Sequence, residues 1–326
     1  MQNNIPNFTS PFKKELEEFI IYKRNIGYKY SLKTCEIFKQ LDTFLGNLNQ
    51  KEPHIDQNVI DNWLKEYRGN SNFTRMRYYS TISMFCKFLV TKNYSNVAIP
   101  MEQHFRNLNK FIPYIYSSEE INKIFNCAQT KIKTSDLRYM IFYVILCLLY
   151  GCGLRLSEAV YLKYKDFKDE EKLLIIENSK NDISRILPLS DSIYSNLKHY
   201  ISFINPLSEE EYLFTYKNQV INKRWIRWLF HKILLEVKIP PLANGKRQRL
   251  HDFRHTFAVN ALIQMEEKNF DLYTTLPMLS TYLGHYSIRS TEYYLRLIKR
   301  ENNKINDKIS NYTKNIYLEK EIYKYE

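Results

Sequence analysis

Six side chains of this sequence are of types that handle phosphate: Arg155, Lys180, His251, Arg254, His285, and a phenol supplied by Tyr293 or Tyr294. They lie in Gly151-Cys152-Gly153-Leu154-Arg155-Leu156-Ser157-Glu158, at Lys180, in His251-Asp252-Phe253-Arg254-His255, and in Leu283-Gly284-His285 followed by Thr291-Glu292-Tyr293-Tyr294. Guanidinium groups hold two phosphate oxygens in bidentate geometry and oppose the charge of a transition state, imidazoles donate further hydrogen bonds, and a phenol can attack phosphorus. Together they could break and rejoin a phosphodiester without metal or nucleotide. The chemistry indicated is phosphoryl transfer.

Each of these residues needs an element to aim it. Arg155 follows a turn bracketed by two glycines, where the backbone can bend sharply into a helix start, and Glu158 one turn on can orient it. Lys180 falls in the polar turn of a β-hairpin predicted from the β-rich runs at 172–177 and 183–189. His251 and Arg254 share one face of a helix predicted over 251–265, with His255 on the next turn. The i, i+4 spacing of His251 and His255 is also that of a helical zinc pair, but Asp252 stands where a catalytic Glu is usual and no third ligand is near. Adjacent residues on a helix point about 100° apart, so only one of Tyr293 and Tyr294 can face a phosphate.

The ensemble resembles the tyrosine recombinases, or phage-integrase family, over roughly residues 12–294. The matching pattern is Gly-Leu-Arg with an acid three residues on, Lys180 ahead of Arg185-Ile186-Leu187-Pro188, His-x-x-Arg followed by His-Thr-Phe, and Leu-Gly-His with a tyrosine nine positions on, which is Tyr294. The resemblance implies that Tyr294 attacks the scissile phosphate to leave a 3′-phosphotyrosine and a free 5′-OH. Arg155, His251, Arg254 and His285 would hold the transition state, Lys180 would protonate the leaving oxygen, and Glu158 and His255 would support them. It implies no cofactor and no metal. The partners implied are double-stranded DNA and further copies of the chain, a dimer on each site and a tetramer in synapsis. The stretch 276–282 before Leu-Gly-His looks like the transposase and mobile-element branch. Two rivals are a catalytically silent DNA-binding regulator on the same scaffold and a topoisomerase-like relaxing enzyme.

Composition agrees with a nucleic-acid partner. The net charge is +13, the sequence pI is about 9.2, and the basic residues are spread through both halves. Seven glycines stand where about twenty would be average, which favours helix. Five cysteines, odd in number and mostly in apolar helical text, read as thiols of a reducing, cytoplasmic setting. No apolar run reaches bilayer length.

A chain of 326 residues predicts two domains. Four amphipathic helices are legible before residue 95, the first with Ser10 as N-cap and Pro11 in its first turn. Residues 95–116 read as a linker, and Ser117 with Glu120 forms a capping box opening the next helix. The expected fold is mainly α with a small β-hairpin or sheet. By resemblance it is a two-domain DNA clamp: a core-binding domain at 1–94, a catalytic domain at 117–300, and a docking tail at 301–326. Arg75 and Arg77 in the first domain and Arg106 and Lys110 in the linker are the expected DNA contacts. In the tail, Ile305, Ile309, Tyr312 and Ile316 make one apolar stripe, which either packs back on its own domain or, as the resemblance implies, docks on a neighbouring protomer.

Overall fold

The computed structural model describes residues 5–298, apart from 29, 49, 51–53, 67–71, 102–112, 133–135, 178–183, 243–244 and 286. Lys180, Arg106, Lys110 and the tail at 301–326 therefore lie outside the described residues. The chain divides into two units, Met1–Phe111 and Ile112–Glu326.

The first unit holds α1 (Lys13–Asn25), α2 (Leu32–Asn47), α3 (Gln57–Glu66) and α4 (Asn72–Thr91). Each turns an apolar face inward onto a core that includes Leu16, Phe19, Leu41, Trp63, Ile82 and Phe85. Ser10 is not the N-cap of α1. The helix starts two residues after Pro11 because Asp42 of α2 takes the backbone N–H groups of Thr9 and Ser10, at 2.9 and 2.8 Å, and draws that turn into the core. Val97 pairs with Ile55 by an isolated parallel bridge, so the start of the expected linker packs in this unit.

The second unit opens as the sequence indicates. Ser117 Oγ accepts from Glu120 N at 3.2 Å while Glu120 Oε2 accepts from Ser117 N at 2.9 Å, capping α5 (Ser118–Ile132). Next come α6 (Leu137–Gly151), α7 (Leu156–Val160) and a 3₁₀ turn at Tyr164–Asp166. Apolar nearly all round, α6 is the central helix, packed by α5, α7 and two later helices. A three-stranded antiparallel sheet follows in the order β1 (Phe167–Lys168), β2 (Leu173–Ile176), β3 (Arg185–Pro188), with Leu174 opposite Leu187 and Ile176 opposite Arg185. After α8 (Asp191–Ile204), β4 (Thr215–Tyr216) and β5 (Gln219–Val220) form a second hairpin, which turns on Lys217 and Asn218, both at positive φ. The chain then runs through α9 (Lys223–Glu236), α10 (His251–Glu267), α11 (Leu272–Leu283) and α12 (Arg289–Ile298). Here α10 joins two apolar cores: Phe253 faces the one built on α6, while Ala258, Val259 and Leu262 face α11 and α12. Tyr116 stacks on Phe253 with centroids 4.9 Å apart, and its N–H donates to Thr256 Oγ1 at 3.0 Å.

Candidate active site

Four places in the second unit converge. Arg155 is the N-cap of α7, Arg254 and His255 are on α10, the Leu283-Gly284-His285 turn ends α11, and Tyr294 is on α12. The turn before Arg155 needs its glycines. Gly153 sits at φ +60°, and a Cβ there would lie 2.6 Å from Phe257 Cδ1, while one on Gly151 would lie 2.5 Å from Ile193 Cδ1. Gly284 is also left-handed at φ +64°, closing α11 as an αL cap.

The arginines are clasped to these turns. Arg254, 1% exposed, donates from Nη1 to Gly153 O at 2.7 Å and from Nη2 to Leu283 O at 2.6 Å. Arg155 donates from Nη2 to Gly284 O at 3.1 Å and from Nη1 to Glu158 Oε1 at 2.6 Å, and its backbone N–H meets Glu158 Oε2 at 2.9 Å. The Glu158 carboxylate also receives Arg185, at 2.8 Å from Nη2 and 3.3 Å from Nη1, and Arg185 Nε reaches Tyr282 O at 2.8 Å. Burial alone would raise the pKa of Glu158, but the guanidiniums of Arg185 and Arg155 outweigh it and the net shift is downward. Arg185 thus ties β3 through Glu158 to Arg155 and directly to the end of α11. It stands in the Arg-Ile-Leu-Pro run that marks the hairpin, yet nothing in its spacing announced a place beside Glu158.

The histidines and the phenol stack together. His255 Nδ1 is 3.1 Å from Tyr294 Oη, and the His251 and His255 rings meet edge to face at 4.7 Å. His285 lies nearly parallel to the Tyr294 ring, 6.2 Å between centroids, and its Nδ1 pairs with Thr291 Oγ1 at 2.8 Å. Thr291 is fully buried and is a second supporting residue with no signal of its own in the sequence. Tyr294 is 2% exposed whereas Tyr293 is half-buried, so Tyr294 is the phenol within the cluster. Its pKa is raised by burial, against the pull of Arg254 and Arg155. Burial, then the neighbouring cations, push the imidazoles down, His251 to about 4 and His255 and His285 to about 3. Burial and the nearness of Arg155 lower even Arg254, to about 10. Guanidiniums that depress one another and hold the neighbouring imidazoles neutral make a site short of an anion.

A cavity of about 540 Å³ opens beside Arg155 and His251, walled by Lys223, Arg227, His231 and Arg249. The first three of these recur at i, i+4 and i+8 along α9, a basic face that the sequence reading did not single out. The expected supporting residues Glu158 and His255 both lie in the cluster. Arg75 and Arg77 belong to the other unit, on α4, the former half-buried and the latter exposed.

The phage integrase family model matches residues 115–301, more than half of the chain. An integrase/recombinase of Sinorhizobium fredii, y4rB, is 28% identical over 303 residues, covering 88% of this chain and 93% of that protein. Tyrosine recombinase XerD of Rickettsia bellii is 23% identical over 297 residues, covering 88% and 94%. Among solved structures, the Tn1549 transposon integrase in complex with transposon right end DNA superposes with a TM-score of 0.63 at 16% identity, covering 86% of this chain and 94% of that one. The XerH site-specific recombinase on difH substrate gives 0.56 at 18%, covering 86% and 72%. A buried arginine and a half-buried one, three histidines and a phenol, gathered by α7, α10, α11 and α12, thus sit within the matched segment, and this chain belongs to the phage integrase family.

Proposed function

We propose that the chain is a tyrosine-type site-specific DNA recombinase serving integration or transposition. The observation that carries this is the meeting of Arg155, Arg254, His251, His285 and Tyr294 around one point, from segments up to 139 residues apart in sequence (294 − 155). In this reading Tyr294 Oη attacks the scissile phosphorus, the bond to the 5′ oxygen breaks, and the 3′ phosphate stays on the enzyme as a phosphotyrosine. Arg155 and Arg254 neutralise the equatorial oxygens from positions already fixed by carbonyls, so little reorganisation accompanies the reaction. His251 and His285 donate further hydrogen bonds, and Lys180 supplies the leaving oxygen with its proton. Attack by a partner strand's 5′-OH reverses the step and conserves the bond energy.

The basic wall of Lys223, Arg227 and Arg249 takes phosphates flanking the scissile one, and Arg75, Arg77, Arg106 and Lys110 contact the duplex elsewhere. The working assembly is a dimer on each site and a tetramer in synapsis. The transposon integrase among the structural neighbours and the 276–282 segment favour the mobile-element branch. Five free thiols, four of them buried, suit the cytoplasm, and among the described residues no helix is long and apolar enough to cross a membrane.

The test is a nicked suicide duplex carrying a site that the full-length protein selects from random DNA. Wild type and Tyr293→Phe are expected to form a covalent 3′ adduct, and Tyr294→Phe is expected to bind the duplex equally but form none. Equal labelling of the Tyr294→Phe protein would remove the nucleophile from this account.

A further inference from the structure

When a phenol oxygen bonds to phosphorus its proton must go to another group. Two groups hydrogen-bond to the Tyr294 phenol among the described residues: the Arg254 guanidinium, which can only donate, and His255 Nδ1 at 3.1 Å, which has a lone pair to offer. Resting on the reading of Tyr294 as nucleophile, we propose that His255 is the base that receives the phenol proton. The step balances: the Oη–H bond breaks and its proton passes to the Nδ1 lone pair, the Oη–P bond forms as the P–O5′ bond breaks, and the 5′ oxygen is protonated separately. In rejoining, His255 returns the proton to the departing phenol.

The other candidates are occupied or turned away. His285 stacks on the Tyr294 ring and has no hydrogen bond to Oη among the described contacts, and its Nδ1 is engaged by Thr291. His251 meets the edge of His255 and has no hydrogen bond to Tyr294 among the described contacts. Both oxygens of Glu158 are taken by Arg155 and Arg185, and both oxygens of Asp252 by Arg249. Glutamate and aspartate therefore serve the cations, and the His255 imidazole on α10 is left for the proton.

The surroundings of His255 suit the role in two stages. Burial, then His251, Arg249, Arg254 and His285, keep the imidazole unprotonated in the DNA-free protein, so that with its proton on Nε2 it offers the Nδ1 lone pair to the phenol. A phosphodiester docked against Arg155 and Arg254 offsets the cations that hold His255 down. Its basicity then rises only when substrate is in place.

The experiment uses full-length protein and a duplex of the selected site with sulfur replacing the bridging 5′ oxygen at the scissile phosphate. That thiolate leaves without an acid, so the cleavage rate reports on the nucleophile's side alone. His255→Leu and His255→Asn are both expected to bind this duplex as wild type does and to form adduct about 100-fold more slowly or worse. The Asn variant is the discriminating one, because an amide oxygen can accept the phenol's hydrogen bond but cannot take its proton. Placing a ring-fluorinated, more acidic tyrosine at position 294 is expected to restore at least tenfold in either variant and to change wild type little. Full activity of His255→Asn, or a loss that the acidic tyrosine leaves untouched, would overturn the proposal, since either outcome makes His255 a packing or orienting residue. Should wild type itself form no adduct at Tyr294, the functional reading fails instead.

Discussion

Cleavage is expected to depend on Arg185, whose donors go to Glu158 and Tyr282 O. Its side chain and that of Glu158 are both 4% exposed, and they share two hydrogen bonds in that buried setting. Arg185→Ala leaves a buried carboxylate with one guanidinium instead of two, a change of the kind that costs about 3 kcal/mol in stability, and frees Glu158 to pull Arg155 out of position. Arg185→Lys is expected to recover little, because one ammonium cannot serve Glu158 and Tyr282 O in the geometry of a planar fork. Urea denaturation alongside adduct formation checks both, and an alanine variant as stable and active as wild type would dismiss the role. The histidines carry a pH signature. His251, His255 and His285 titrate at about 4, 3 and 3 in the folded protein and near 6.5 when unfolded. Between these values the unfolded chain binds more protons, so stability rises with pH; it is complete above about 7 and drains away as pH falls. In the absence of DNA the melting temperature should therefore drop between pH 7 and 5, before the carboxylates titrate, and His285→Gln should shallow the slope. A flat profile across that window would contradict the depressed titration of the three imidazoles.

At the scale of elements, the turns rather than the helices set the site. Gly153→Ala forces a left-handed backbone onto a residue with a Cβ and drives that carbon to 2.6 Å from a packed phenylalanine, whereas the Cβ of Gly284→Ala would meet Arg185 no closer than 3.0 Å. Both are expected to destabilise by about 1–3 kcal/mol, with Gly153→Ala the worse and the one that loses cleavage, because Gly153 O anchors Arg254. Thermal melts and adduct yields of the two variants decide the order. These turns also mark how far the sequence could be read. Gly-Cys-Gly-Leu-Arg, the Ser117–Glu120 capping box and the β-rich runs announced themselves because local spacing dictates local geometry. The shared face of His251 and Arg254 on α10 did so too, since a helix turns at a fixed angle per residue. The places of Arg185 and Thr291 were not legible: each is fixed by a partner on another element, Arg185 by α7 and the end of α11, Thr291 by the ring of His285. The start of α1 was misread for the same reason, as Asp42, over thirty residues away, pulls Ser10 out of the capping position. The β4–β5 hairpin escaped because its turn is Lys-Asn, with no glycine to flag it.

Over the whole molecule the +13 charge is expected to govern binding. Log affinity for the selected duplex should fall linearly with log salt, with a slope matching several released counterions per protomer, and Lys223→Ala with Arg227→Ala should reduce that slope by about two. A slope near zero, measured by anisotropy between 50 and 300 mM salt, would take DNA out of the picture. The arginine pair reaches across the same unit in another way. Arg155 and Arg254 spend donors on the carbonyls of Gly153, Leu283 and Gly284, joining α7, α10 and the end of α11 before any phosphate arrives. A lineage that gave up strand cleavage would still be selected to keep both arginines, for without them those helices lose their fastening. Nothing comparable protects the phenol, since a phenylalanine could fill most of the same apolar space beside Leu295 and Leu276. Descendants of this fold that have fallen silent should therefore betray themselves at position 294 first, while their arginines remain as relics of the architecture.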